Sequence, residues 1–325
     1  MPTALITGIT GQDGIYLAEL LLKKNYNVYG LIRGQNNPKY AFMEEHLPLV
    51  KLIKGDLTDP SSLFRALEVS NPDEIYNLGA ISFVAYSWEQ VQLTSQVTAL
   101  GVVNLLEAIR IWSGKNLDKI KFYQASSSEM FGKVQETPQT ERTLLWPRSP
   151  YGVAKSFGHH MTINYRESYG LHASSGILFN HESPRRGPEF VTRKISIAVA
   201  KIALGLSDHL VLGNLEARRD WGFAGDYVEA MWKMLQEENA DDYVIATGET
   251  HSVQEFVQLA FSSIGKSDWN KYVKISDKFL RPAEVDFLVG DASKAQNKLN
   301  WKPTVSFSEL VELMVQSDLK ILSKK

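Results

Sequence analysis

The 325-residue sequence contains no cysteine, so disulfides and thiolate metal sites are excluded. A chain without cysteine is compatible with the cytoplasm, which is the location expected here. Charge of neither sign dominates: 35 Lys and Arg against 37 Asp and Glu leave a net charge of -2. Phosphate backbones select strongly basic surfaces, so the balance argues against nucleic acid as the main ligand. No apolar run reaches the ~18 residues of a membrane-spanning helix, and no membrane partner is expected. The start, Met1 to Gly8, has no basic segment, and its apolar run is too short for a signal peptide. Internal repeats and low-complexity segments are also lacking.

What is present is a 44% hydrophobic composition, enough core for one large domain or two. Thr3–Thr7 is short, apolar and β-branched, and reads as a buried strand ending at glycine. Ile15–Lys24 has helical apolar spacing, and Asn27–Ile32 is a second strand. The alternation continues through Val50–Lys54, Ser61–Glu68, Glu74–Asn77, Val97–Ile111, Lys121–Ala125 and Ser156–Tyr169. Alternating strands and helices predict an α/β fold, a doubly wound parallel sheet of Rossmann type. After about residue 180 the pattern changes. Val191–Ala203, Asp226–Leu235 and Val253–Ile264 read as helices, Leu210–Gly213 as a strand, and Ala283–Leu288 as a short mixed segment. The expected division is a dinucleotide-binding part over 1–180, with later elements from about 210–250. A smaller substrate-binding part over 181–325 would be interleaved with it, leaving a cleft between them.

Gly8, Gly11 and Gly14 give G-x-x-G-x-x-G at a strand-to-helix turn. Gly8 permits the turn, Gly11 the approach of a pyrophosphate, and Gly14 close helix–strand packing. The helix N-terminus adds free N–H groups and a positive partial charge. Thr10, Gln12 and Asp13 share this turn and are cofactor candidates. NAD-specific folds carry a carboxylate after the second strand. Here Arg33 stands in that region without one, which suits a 2′-phosphate and favours NADP. Asp56 and Leu57 after the third strand would bracket the adenine. Leu78, Gly79, Ala80 and the nearby Ser82 would line the ribose and nicotinamide side.

Tyr151 and Lys155 are four residues apart at the start of a helix and so share a face. A free tyrosine, with a pKa near ~10, is a poor base, and a nearby ammonium favours its phenolate. Lys121–Ala125 leads into Ser126, Ser127, Ser128 and Glu129 at the carboxyl end of a strand, where open α/β sheets bind ligands. Ser127 would share the substrate oxygen with Tyr151. Hydride transfer needs no further carboxylate, so Glu129 suggests a second proton transfer, from carbon.

With these residues in place, the chain resembles the extended short-chain dehydrogenase/reductases. Within them it resembles the nucleotide-sugar dehydratases that act on GDP-mannose. The likeness runs along essentially the whole chain and is most specific at Pro147–Tyr151, Asn164–Gly170, Gly176–Gly187, Arg219–Gly222 and Arg281–Val285. The resemblance implies conversion of GDP-D-mannose to GDP-4-keto-6-deoxy-D-mannose and water. C4 would be oxidised with Tyr151 as base, water lost across C5 and C6 with Glu129 as base, and hydride returned to C6. It implies Leu178, His181 and Arg186 at the cofactor. It further implies Ser82, Glu129, Asn180, Lys194, Arg219, Arg281 and Glu284 at the GDP-sugar, no metal, and a homodimer or homotetramer.

Ser127 stands where the family usually has threonine, and Gly79 where alanine is usual. The stretch Gly34–Phe42 lacks the family's longer Arg-Arg-Ser-Ser segment, which weakens the case for NADP and for a tetramer. The competing readings are a dehydratase of a related sugar such as GDP-manno-heptose, a 4-epimerase or 4-keto reductase, and a non-catalytic NADP sensor.

Overall fold

The computed structural model describes residues 1–34, 37–276, 285 and 287–324. Six strands come first: β1 (Thr3–Thr7), β2 (Asn27–Ile32), β3 (Lys51–Lys54), β4 (Glu74–Asn77), β5 (Lys121–Ser127) and β6 (His172–Leu178). Short strands β7 (Asn180–Glu182), β8 (Leu210–Leu212), β9 (Arg218–Arg219) and β10 (Trp221–Phe223) follow, then β11 (Asp242–Ile245). The large sheet has the order β11-β6-β5-β4-β1-β2-β3, and all its pairings are parallel. Chain order reverses between β1 and β4, the point where open α/β sheets open a ligand crevice.

The helices are α1 (Gln12–Lys23), α2 (Tyr40–His46), α3 (Pro60–Ser70), α4 (Tyr86–Glu89), α5 (Val91–Thr94), α6 (Gly101–Ser113) and α7 (Pro150–Tyr169). They continue with α8 (Val191–Ala203), α9 (Ala224–Gln236), α10 (Val253–Ser262), α11 (Ser293–Leu299) and α12 (Phe307–Leu322). α1 and α9 cover one sheet face through Leu17, Leu21, Met231 and Met234. α3, α6 and α7 cover the other through Leu63, Leu105, Ile109 and Tyr165. A separate core joins α8, α10 and α12 around Val199, Phe256 and Met314.

Several ends are set by local chemistry. α3 begins at Pro60, with the Asp59 carboxylate accepting Ser61 N–H, and it stops at left-handed Asn71. α7 begins at Pro150, with the Ser149 hydroxyl accepting Gly152 N–H, so Tyr151 lies in its first turn. The helix therefore starts six residues before the segment expected from periodicity alone. The expected helix Val97–Ile111 is divided: Ser95–Leu100 is π-helical and α6 follows it. Joined with its flanking turns, Val91–Lys119 is long and apolar enough to cross a bilayer, yet 56% of its apolar window is buried within the fold.

The carboxyl ends of three neighbouring strands are tied by a buried polar row. Thr7 Oγ1 donates to Asn77 Oδ1 at 2.6 Å, and Asn77 Nδ2 donates to Gln124 Oε1 at 2.8 Å. The three residues are paired in register across β1, β4 and β5. Asn77→Ala would strand two buried partners and should cost about 2–4 kcal/mol. The urea midpoint measures this, and an unchanged midpoint would refute the linkage.

Candidate active site

The glycine turn is crowded enough to explain its composition. Gly8 has a φ of +70°, and a Cβ there would lie 2.8 Å from Gly79 N. A Cβ on Gly14 would lie 2.5 Å from Gly8 O and 2.6 Å from Ile9 Cα. Gly11 N–H closes the turn on Gly8 O at 2.9 Å and precedes the first helical residue of α1. The turn thus leaves backbone at the surface where a pyrophosphate would rest.

A cavity of about 880 Å³ opens at the carboxyl ends of the strands, between the sheet and the half built on α8. It is lined by Ser127, Glu129, Tyr151 and Lys155 together, and by Asp13, Leu78, Ala80, Ser82, Leu178, Asn180, His181, Arg186, Lys194 and Arg219. Gly8, Thr10, Gly11, Gln12, Gly14, Arg33, Asp56, Leu57 and Gly79 are not on its wall. Arg33 is exposed at the carboxyl end of β2. The Asp56 carboxylate accepts Thr58 N–H and Oγ1–H, both at 2.8 Å. Leu57 is buried, and a Cβ on Gly79 would lie 2.7 Å from its Cδ1, so the glycine makes room for that leucine. Arg281 and Glu284 lie outside the described residues.

Lys155 Nζ donates to Ala125 O at 2.6 Å, and its ammonium stands 5.7 Å from the Tyr151 ring centre. One turn on, the His159 ring pairs with Ser126 Oγ at 3.0 Å. Burial first, and the Glu129 charge with it, pushes Tyr151 up to about 12 although Ser127 hydrogen-bonds it. Burial also brings Lys155 down to about 8 and His159 to about 4. His159 is therefore neutral and adds no charge beside Lys155. The expected phenolate-favouring effect of Lys155 is outweighed by desolvation, so the side chains by themselves keep Tyr151 protonated at neutral pH.

The first turn of α1 is joined to the segment after β6. His181 Nε2 meets Asp13 Oδ2 at 2.8 Å, Gln12 Nε2 donates to His181 O at 3.0 Å, and Ser183 Oγ donates to Gln12 Oε1 at 2.7 Å. Burial alone would raise Asp13 and lower His181. Their mutual contact reverses both, leaving Asp13 below and His181 above its ordinary value.

Sequence reasoning did not single out Glu182, Phe83, Trp88 or Phe190, which line the same cavity. Glu182 is buried and accepts Thr192 Oγ1–H at 2.6 Å. Its Oε2 lies 3.1 Å from Arg186 Nε, a charge contact rather than an aligned hydrogen bond. Arg186 lies over the Phe190 ring at 3.6 Å, and Phe190 meets Phe83 edge-on. The signal for Glu182 lay within the run Gly176–Gly187. The aromatic residues carried no periodic signal, because two separate segments bring them together.

A parallel sheet in this order, with Ser127, Tyr151 and Lys155 at one cavity, defines an extended short-chain dehydrogenase/reductase fold. A UDP-glucose 4-epimerase from Thermus thermophilus, solved with NAD, has the same fold. Its TM-score is 0.83 at 27% identity, covering 97% of this chain and 98% of that one. The family model described as GDP-mannose 4,6 dehydratase matches residues 5–314. The GDP-mannose 4,6 dehydratase 1 of Arabidopsis thaliana is 53% identical over 99% of this chain and 91% of its own. The GDP-mannose 4,6 dehydratase of Cricetulus griseus is 51% identical over 98% and 92%. The chain belongs to the GDP-mannose 4,6 dehydratase family.

The Asp13–His181 contact sets a pH dependence of stability. His181 has a raised folded value, so its contribution is full below its ordinary 6.5 and is lost as pH rises through the raised value. Asp13 has a lowered one, so its contribution is full above 3.8 and is lost as pH falls through the lowered value. Asp13→Asn should therefore cost most stability between about pH 4 and 6.5, and less above. Denaturant midpoints across pH measure this, and a pH-independent loss would exclude the pair as the cause.

Proposed function

We propose that this protein converts GDP-D-mannose to GDP-4-keto-6-deoxy-D-mannose and water. The observation that carries the reading is the Glu129 carboxylate in the same cavity as Tyr151, Ser127 and Lys155. A reductase or epimerase has no use for a base at that place, whereas loss of water across C5 and C6 requires one. The names of the family relatives, at about half identity over nearly the whole chain, support the choice of substrate.

Residues 1–180, completed by β11, are taken as the cofactor half, and 181–325 as mainly the sugar-nucleotide half. The glycine turn fits a dinucleotide because Cβ atoms at Gly8 and Gly14 would strike neighbouring backbone, so only glycine allows the tight strand-to-helix turn that such a cofactor uses. Arg33, and the lack of a carboxylate beside it, support NADP over NAD. When bound, NADP would accept a hydride from C4 and restore it at C6, so none is consumed.

Ser127 holds the C4 oxygen, and Tyr151 takes its proton. The positive charge an oxidised nicotinamide brings would draw the tyrosine down from about 12. The resulting 4-keto group acidifies C5–H. Glu129 removes that proton and passes it to the C6 hydroxyl, which departs as water; when hydride is restored at C6, C5 is reprotonated, and the proton Tyr151 took from the C4 hydroxyl makes up the balance. Lys194 and Arg219, which line the same cavity, suit the diphosphate. Burial pushes the Lys194 ammonium below its ordinary value.

Glu129→Gln should leave C4 oxidation in place and reduce formation of the 4-keto-6-deoxy product by about 10²-fold or more. Tyr151→Phe should lose the oxidation itself. Both are read by mass and NMR analysis of the product made from GDP-mannose. Parental product formation by either variant would remove that residue from its role.

The reading also includes a homodimer. α6 with its π-helical lead-in, and α7, present exposed Leu100, Ile111, Val153, Phe157 and Tyr169. Light scattering should give twice the mass of one chain, and Phe157→Asp should halve it. A monomeric parent would exclude the pairing.

A further inference from the structure

The stretch after β2 is short, and Arg33 would be a thin basis for recognising a 2′-phosphate. The same stretch supplies a second cation. Lys39 Nζ donates to Thr10 O at 2.8 Å, which lays the ammonium on the glycine turn beside Gly11. Its backbone is held in place. Asn37 Oδ1 accepts Lys39 N–H at 3.0 Å, while Asn37 Nδ2 donates to Arg33 O at 3.2 Å. Tyr40 N–H closes on Asn37 O at 2.9 Å. One asparagine thus sets Arg33 and Lys39 relative to each other. Among the described residues, neither cation has a carboxylate partner.

In open α/β folds the pyrophosphate lies on the glycine turn, and the adenosine ribose faces the end of the second strand. The space between Thr10 and Arg33 is where a 2′-substituent comes to lie. A neutral 2′-hydroxyl gains little from two cations, whereas a phosphate monoester of charge about -1.5 to -2 gains from both. We propose that Lys39 and Arg33 together form the site for the 2′-phosphate, and that Lys39 determines the preference for the phosphorylated dinucleotide. This rests on the dinucleotide reading above. Lys39 does in this chain what a longer basic segment would otherwise do, and it does so from the glycine turn.

Calorimetric titration of the full chain with NADP, NAD, 2′,5′-ADP and 5′-AMP tests it without turnover. Lys39→Ala should weaken NADP and 2′,5′-ADP by about tenfold and leave NAD and 5′-AMP within about twofold. Lys39→Arg should keep the preference. Equal losses for NADP and NAD would mean that the lysine supports the turn and not the phosphate. No loss for either would remove the contact. A preference for NADP that persists in Lys39→Ala and vanishes in Arg33→Ala would overturn the role of Lys39 alone. A parent protein that binds NAD as tightly as NADP would overturn the 2′-phosphate reading itself.

Discussion

The site depends on one continuous row of hydrogen bonds beneath its floor. It starts at Gly79 N–H, which donates to Thr7 Oγ1 at 3.0 Å, and passes through Asn77 to Gln124. Gln124 Nε2 reaches Ala125 O at 3.2 Å, the same carbonyl that receives the Lys155 ammonium. The nucleotide turn and the catalytic lysine are thereby members of one network. Every link beyond Gly79 is buried, where an unpaired polar group is costly, so the row admits one arrangement of the three strand ends. A hydrophobic core positions the sheet to within a residue; this row fixes which atoms face the cavity.

Above the floor, a second set of contacts closes the cavity from the other half. The peptide after β6 is bound to the first turn of α1 by Gln12, Asp13 and Ser183. Arg185 adds paired bonds to Glu19 on the same helix, at 2.8 and 2.9 Å. Beneath His181 lies Tyr227, stacked at 4.6 Å. Further out, α8 carries Lys194 to the cavity wall while its neighbour Arg193 pairs with buried Asp318 on α12. The carboxyl-terminal helix therefore packs against the helix that carries Lys194 without itself lining the cavity.

Much of this was legible in the sequence. β1, β2 and β4 fall where their β-branched and apolar pattern puts them, and α8 matches residue for residue. β6 did not stand out as a strand because His172–Leu178 holds Ala, two Ser and Gly, which carry little β-pattern, although all but the first residue are buried. β11, α11 and α12 were likewise not read as elements. Periodicity alone starts α7 late because Pro150 and Gly152 interrupt it, whereas the Tyr151–Lys155 spacing already put both at a helix start, which the cap at Ser149 determines. Ser127, Glu129, Tyr151 and Lys155 could be grouped from spacing and strand position. The Asp13–His181 pair joins residues 168 apart in sequence, whose proximity only the tertiary fold creates. The height of the Tyr151 pKa was illegible for a related reason: desolvation depends on what packs around the ring.

Lys155 and His159 grip consecutive residues of β5, Ala125 and Ser126, from consecutive turns of α7. A helical turn rises about 5.4 Å, while a strand advances about 3.3 Å per residue. Two such grips match only at one crossing of helix and strand, so they act as a vernier. Sliding the strand by one residue, or turning the helix by one, breaks both at once. The distance from Tyr151 to Ser127 is thereby gauged in part by His159, which does not line the cavity, so accuracy in the site draws on a residue outside it.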